Sequence, residues 1–284
     1  MWLYEYVVHF LKIFFANVLK CGPIPRHIAF IMDGNRRYAK KKNMPPWEGH
    51  SVGGRKLSEI RDWCELFGIE EMTVYAFSIE NFNRSAIEVE KLTKLMRDLI
   101  LEALDDEESS IKINAIGNLS LIPKQTLQVI AKGVSETAAK KSPLNVAISY
   151  TSREEITNAL NLILEGVRSD ALRIEDITED LISQCMYTGQ SPAPDILIRT
   201  SGEHRLSDFL LWQLKDTVIH FERALWPDYS FFHFCAMIFV YQLRTRRQSR
   251  SECKLAKITN PRIDEFVKKV HEQRKQQIEQ FLRE

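Results

Sequence analysis

The sequence contains no Cys-x-x-Cys pair and no Gly-x-Gly-x-x-Gly or Gly-x-x-x-x-Gly-Lys-Ser/Thr loop. These absences set aside cysteine-based zinc and redox sites and the common nucleotide-binding fingerprints. The five cysteines, at 21, 64, 185, 235 and 253, are odd in number and show no pairing pattern, which predicts buried thiols in reducing surroundings. Charge of one sign is missing too. With 39 Lys and Arg against 38 Asp and Glu, there is no general basic field of the kind that coats nucleic acid. A phosphate-bearing ligand must therefore be held by local clusters. No apolar run reaches the roughly 18 to 20 uncharged residues of a membrane span.

What is there suffices for one large domain: 284 residues, 44% of them hydrophobic. Residues 1–22 read as an amphipathic helix. Glu5, His9, Lys12 and Lys20 share a narrow stripe, and aromatic and aliphatic residues fill the rest. Such a helix packs on the body of the protein or lies on a membrane surface, and the two uses are compatible. Cys21-Gly22-Pro23-Ile24-Pro25 closes it. The body of the domain follows over residues 23–243. Short runs rich in Ile, Val, Leu and Phe at 27–32, 72–77, 111–116, 144–150, 195–200 and 218–221 read as strands buried on both faces. Helical spacing fills the intervals, as in Leu57, Ile60, Cys64 and Phe67 before the C-cap Gly68, and in 89–104 and 156–164. This alternation predicts an α/β fold: one mostly parallel sheet of about six strands with helices on both faces. Residues 244–284 form a basic and helical tail. It carries Arg244, Arg246, Arg247 and Arg250, then a charged helix whose sparse apolar seam faces solvent, acidic lipid or a partner helix.

Ligands of an open parallel sheet bind beyond the carboxyl ends of its strands. After the first strand stands Asp33-Gly34-Asn35-Arg36-Arg37. An acid at a strand end, a glycine permitting close backbone approach and two arginines opening a helix make an oxyanion site with a place for Mg²⁺. His50, among Gly49, Gly53 and Gly54, opens the next helix and is placed to face the same pocket. The second strand runs into Ser78-Ile79-Glu80-Asn81-Phe82-Asn83-Arg84-Ser85. Helix capping accounts for Ser85 there and leaves Asn81 and Arg84 without a structural role. The fifth strand ends in Arg199-Thr200-Ser201-Gly202-Glu203-His204-Arg205-Leu206-Ser207, followed by an apolar segment at 209–212 read as a helix. Two anion loops on one sheet edge, beside the apolar wall of helix 89–104, suit an isoprenoid diphosphate better than a nucleotide. A Ser201–His204–Asp208 triad has no supporting elbow.

These loops resemble the cis-prenyltransferase family. The resemblance runs through residues 31–37, 75–82, 198–203, 206–213 and Leu225-Trp226-Pro227, in the family's order over roughly residues 24–230. The spelling is nearer the eukaryotic dehydrodolichyl diphosphate synthase branch than the bacterial undecaprenyl one. The resemblance implies that Asp33 binds Mg²⁺ on a diphosphate. It implies that Gly34, Asn35, Arg36, Arg37 and His50 hold the diphosphate of an allylic primer, farnesyl diphosphate in this branch. Ser78, Asn81 and Arg84 would serve condensation, with Asp33; Arg199, Arg205 and Ser207 would grip isopentenyl diphosphate. The product would be a polyprenyl diphosphate made for dolichol and protein glycosylation, at the cytosolic face of the endoplasmic reticulum membrane by a peripheral enzyme. Four departures stand out. Pro46 replaces an arginine of the bacterial members, Phe82 a tryptophan and Val218 a glutamate. No glycine follows Gly202, so the C-terminal Arg-x-Gly of one-subunit members is missing. The resemblance then implies a Nogo-B-receptor-like partner subunit supplying it. The competing expectation, a non-catalytic lipid-binding partner, fits poorly with a retained Asp-Gly-Asn-Arg-Arg loop.

Overall fold

The computed structural model describes residues 2–106, 108–245 and 260–283. Six strands form one sheet: β1 (His27–Ile31), β2 (Glu71–Ser78), β3 (Ile111–Ile116), β4 (Ser142–Tyr150), β5 (Ile196–Arg199) and β6 (Val218–Phe221). The order is β3-β4-β2-β1-β5-β6, and every adjacent pair is parallel. Each observed strand lies within two residues of its run in the sequence. The central β1 and β5 are buried at every position, whereas edge strand β6 is fully buried only at Val218. Parallel strands need crossovers, and the helices that make them cover both faces.

On one face α3 (Pro46–Phe67) and α8 (Phe231–Thr245) bury Ile60, Trp63, Phe67, Phe234 and Ile238 against Phe30, Val74 and Ile198. Alongside, α4 (Ala86–Asp105) and α5 (Lys124–Glu136) pack Met96, Ile100 and Ile130 on Phe77, Ile113 and Ile148. The other face is closed by Phe209, Leu210 and Leu214 on Ala29, Ile31 and Leu197, and by α6 (Ser152–Arg168) and α7 (Glu179–Cys185). The short α2 (Asn35–Lys41) joins β1 to α3.

The terminal helices dock on this body. In α1 (Trp2–Leu19), Ala16 is buried in the α3/α8 core, and Phe15 meets Phe232 edge-on with centroids 5.8 Å apart. In α9 (Pro261–Arg283) the apolar seam is not left to solvent or a partner. Phe266, Val267 and Val270 enter the α6/α7 core, and Ile278 and Phe281 reach the α4/α5 cluster. Arg274 of α9 donates to the carbonyls of Cys185 and Met186 and lies over the Tyr187 ring. Of the basic patch, Arg244 hydrogen-bonds the Ile219 carbonyl at 3.0 Å; Arg246, Arg247 and Arg250, with Cys253, lie outside the described residues.

Candidate active site

Pairing of β1 with β5 sets Ile31 opposite Arg199, so the loops that follow these strands leave the sheet side by side. The chain reverses direction across the sheet here, with β2 on one side of β1 and β5 on the other, the position where open α/β sheets take ligands. Arg199, 3% exposed, donates through Nη2 to Asp33 Oδ2 at 2.7 Å. Its Nη1 reaches Ser207 Oγ at 2.7 Å and the Arg205 carbonyl at 2.6 Å. The other Asp33 oxygen accepts the Gly34 N–H at 2.7 Å. Burial pushes the Asp33 carboxyl up, but Arg199 and the Gly34 N–H outweigh it and hold the group below its ordinary range. Asp33 is therefore an anion at neutral pH. Gly34 takes φ 109° beside Leu225, whose side chain and backbone would crowd a Cβ.

Asn35 and Arg36 line the cavity above these residues. Gly49 and Gly53 let α3 lie directly on α2; a Cβ at Gly49 would overlap the Asn35 carbonyl, and one at Gly53 the Asn35 side chain and Trp226. Trp226 Nε1 fastens the contact through the Gly53 carbonyl at 2.8 Å. This close approach sets His50 on the cavity wall. Burial, then the charges of Arg84 and Arg36, depress His50 from 6.5 to about 4, so the ring is neutral near pH 7. His50 Nε2, Asn35 Oδ1 and Arg199 Nε are buried and make no hydrogen bond among the described residues. Orphaned buried polar atoms are rare, and three on one cavity mark a wall built for a polar ligand. Gly34 and Arg37 are not on that wall. Arg37 donates to the Ser201 carbonyl at 2.9 Å and pairs with Glu203 at 3.6 Å, which ties the first loop to the fifth.

Ser78, Asn81 and Arg84 line the same cavity. The sequence suggested no structural duty for Asn81 and Arg84, and the structure corrects this. Ser78 and Asn81 form a reciprocal capping box on the 3₁₀ turn Ile79–Asn83, and Ser78 N–H donates to Asn81 Oδ1 at 3.2 Å. Arg84 pairs with Glu88 of α4 at 2.9 Å. Ser85 caps α4, as its position suggested. Arg205 and Ser207 complete the rim, with Arg205 paired to Glu203.

Residues 209–212 are not helical. Ser207, Asp208 and Leu210 have φ of 50°, 58° and 50°, and Phe209 and Leu210 are buried as a plug in the core. A short apolar run carries no periodicity that separates a plug from a helical turn. Asp208 pairs with Arg153, and His204 lies against the Phe221 ring, so no Ser201–His204–Asp208 triad exists. Val218 is a core residue at the start of β6.

Below the rim the cavity of ≈ 790 Å³ becomes apolar. Leu92, Leu95, Met96, Leu99 and Ile100 of α4 face Leu57, Val74, Ile113 and Val146. The expected apolar wall is therefore present beneath the charged loops. Three residues had no role assigned from the sequence: Tyr75 and Glu80, which stand in the 75–82 motif and lie on the cavity, and Arg153 outside it. The single Tyr75 Oη proton is shared between the Tyr150 carbonyl at 2.9 Å and that of Ser207 at 3.3 Å, and the ring stacks on Phe209 at 4.4 Å.

Among the described residues no three His, Cys, Asp or Glu side chains converge on a metal position. One ionised carboxylate beside orphaned anion-binding groups does fit Mg²⁺, which is usually held by one or two carboxylates together with substrate phosphates.

Comparison with known proteins agrees with this geometry. The family model described as "putative undecaprenyl diphosphate synthase" matches residues 31–249. The human dehydrodolichyl diphosphate synthase complex subunit DHDDS is 47% identical over 247 residues, 85% of this chain and 74% of the human protein. A geranylgeranyl-diphosphate-specific tritrans,polycis-undecaprenyl-diphosphate synthase of Pyrococcus abyssi is 40% identical over 265 residues, 87% of this chain and all of its own. Among solved structures, lavandulyl diphosphate synthase of Lavandula x intermedia, in complex with dimethylallyl diphosphate, superposes with a TM-score of 0.73 at 34% identity. That match covers 77% of this chain and 95% of the lavender one. With its loops, its channel and these relatives in agreement, the chain belongs to the cis-prenyltransferase family.

Proposed function

We propose that the chain is the catalytic subunit of a long-chain synthase that adds isopentenyl diphosphate to farnesyl diphosphate and releases a polyprenyl diphosphate, the precursor of dolichol. The observation that carries this reading is the junction of Asp33 with Arg199 and Ser207 at the mouth of an apolar cavity. Two phosphate-binding loops meet there above a floor suited to a hydrocarbon chain.

In this reading Asn35, Arg36 and His50 hold the primer diphosphate, while Gly34 and Arg37, off the cavity wall, shape and brace the loop that presents them. Arg199, Arg205 and Ser207 hold that of isopentenyl diphosphate. Because His50 is neutral, it serves as a hydrogen-bonding partner and the arginines supply the charge. The allylic C–O bond breaks and its electron pair leaves with diphosphate. The isopentenyl π electrons form the new C–C bond to the allylic carbon, and a proton lost from the isopentenyl C2 leaves the new double bond. Ser78, Asn81 and Arg84 border this space and stabilise the departing charge. Asp33 would hold Mg²⁺, which when bound supplies positive charge to the leaving group. The apolar wall keeps the reacting carbons aligned and excludes water.

A partner subunit belongs to the same proposal. It is supported by the human relative, which carries "complex subunit" in its name. So does a membrane surface, at the cytosolic face of the endoplasmic reticulum, supported by the outward apolar residues of α1 and α8. Among the described residues no helix is long and apolar enough to cross a bilayer.

The test is incorporation of labelled isopentenyl diphosphate into lipid, with farnesyl diphosphate and Mg²⁺, with and without an Arg-x-Gly-bearing subunit. Incorporation that depends on this subunit and is abolished by Asp33→Ala in a folded protein is the expected result. No incorporation in either arm would overturn the catalytic reading in favour of a non-catalytic lipid-binding subunit.

A further inference from the structure

We propose that Arg153 is a positioning residue for isopentenyl diphosphate binding, acting through Asp208 on the loop that carries Arg205 and Ser207. The inference rests on the transferase reading above. The loop has an uncommon backbone. Ser207, Asp208 and Leu210 all take φ between 50° and 58° although none is glycine. Non-glycine residues in this region are strained and persist only where the surroundings over-determine them. The conformation aims Ser207 Oγ at Arg199 and places Arg205 on the cavity rim.

The restraint comes from the first turn of α6. Ser152 N–H donates to the Asp208 carbonyl at 2.8 Å, and Ser152 Oγ accepts the Leu211 N–H at 2.8 Å. Arg153 Nε donates to Asp208 Oδ2 at 2.7 Å, and Arg153 N–H to Oδ1 at 3.3 Å. The carboxylate is thus gripped at both oxygens by one residue. Exposed ion pairs are usually weak because either partner is free to leave. Here Asp208 has only 11% of its side chain exposed, while that of Arg153 is 77% exposed. The exposed partner is the arginine, and the buried one belongs to the strained loop. Arg153 also stands 3.6 Å from Glu80, on the rim loop that follows β2. One guanidinium therefore links the loop of Ser78, Asn81 and Arg84 to the loop of Arg205 and Ser207.

Arg153 is not part of the cavity wall, so any effect on substrate must pass through its partners. Tyr75 holds the Ser207 carbonyl as well, but it lines the cavity, and its replacement would confound position with contact.

The experiment measures KM for each diphosphate, kcat and thermal midpoint in Arg153→Ala, Arg153→Lys, Asp208→Asn and the Ala/Asn double variant. The full chain is used, in the complex that supports turnover. Arg153→Ala is expected to raise KM for isopentenyl diphosphate about tenfold, with KM for farnesyl diphosphate within about twofold of wild type. The thermal midpoint stays nearly constant, Arg153→Lys recovers part of the loss, and the double variant is no worse than either single one. Unchanged KM values, multiplicative losses in the double variant, or a loss that tracks the thermal midpoint would each overturn the proposal. Wild-type turnover is the separate control on the transferase reading. Should it be absent, inorganic pyrophosphate titrated calorimetrically into wild type and Arg153→Ala decides the positioning role. Weaker binding in the variant supports it, and equal binding overturns it.

Discussion

At His50, burial and two arginines act in the same direction, and all of them oppose a positive charge. The folded ring protonates only near 4, whereas in the unfolded chain it does so near 6.5. A group depressed in this way contributes stability that is present above the unfolded value and is lost as pH falls toward the folded one. Wild type is therefore expected to lose thermal midpoint between pH 6.5 and 4 more steeply than His50→Gln, measured over the same buffers. Parallel curves would mean that the ring is not held neutral. Asp33 carries the same pH sign for a different reason: its carboxyl is held low by Arg199, so the pair persists into mild acid and is lost only as pH falls further.

Among the elements, the contact of α3 with α2 has the narrowest tolerance. Gly49→Ala places a methyl group against the Asn35 carbonyl and the Ala39 side chain. Overpacking of this kind costs about 1–3 kcal/mol. The expected outcome is a lower denaturation midpoint together with reduced turnover, because the same shift carries His50 off the wall; a variant as stable and active as wild type would disprove the close approach. All six strands were legible in the sequence because buried parallel strands read as unbroken β-branched and aliphatic runs. The three arginine-bearing loops that border the cavity were legible because they stand at strand ends, where the fold puts ligands. Residues 209–212 were misread because a plug and a helical turn share one composition over four residues. The duties of Arg153 and Tyr75 could not be read, since they arise only when Asp208 and Ser207 arrive from 55 and 132 residues away. Asn81 carries two duties, a cap and a place on the wall, and its side chain names neither. The seam of α9 was visible as a pattern, but nothing in the pattern says that it packs on the chain's own α6 and α7.

For the molecule as a whole, exposed apolar side chains are most numerous on two docked helices, α1 and α8. Phe10, Phe14 and Val18 of α1 and Phe232, Phe239 and Leu243 of α8 remain exposed although the two helices pack together. Isolated exposed apolar residues are ordinary, but a set shared by two docked helices suits an interfacial layer. The protein is expected to co-sediment with phospholipid vesicles, and the combined Phe10→Ser, Phe14→Ser and Phe232→Ser variant to stay in the supernatant with turnover on a short soluble primer unchanged. Equal sedimentation of both proteins would rule out this face as the contact.

The sheet order also constrains how the molecule is made. β1 is the second element of the chain, yet its neighbour β5 begins only at Ile196. During synthesis one edge of β1 stays unpaired until more than two-thirds of the 284 residues have been joined. An unpaired apolar strand edge is a template for wrong partners. The Asp33–Arg199 pair, which bridges 166 positions, closes only when β5 docks. The nascent chain thus carries no joined Asp33–Arg199 site through most of its translation, and its early apolar strand keeps one unpaired edge for that interval.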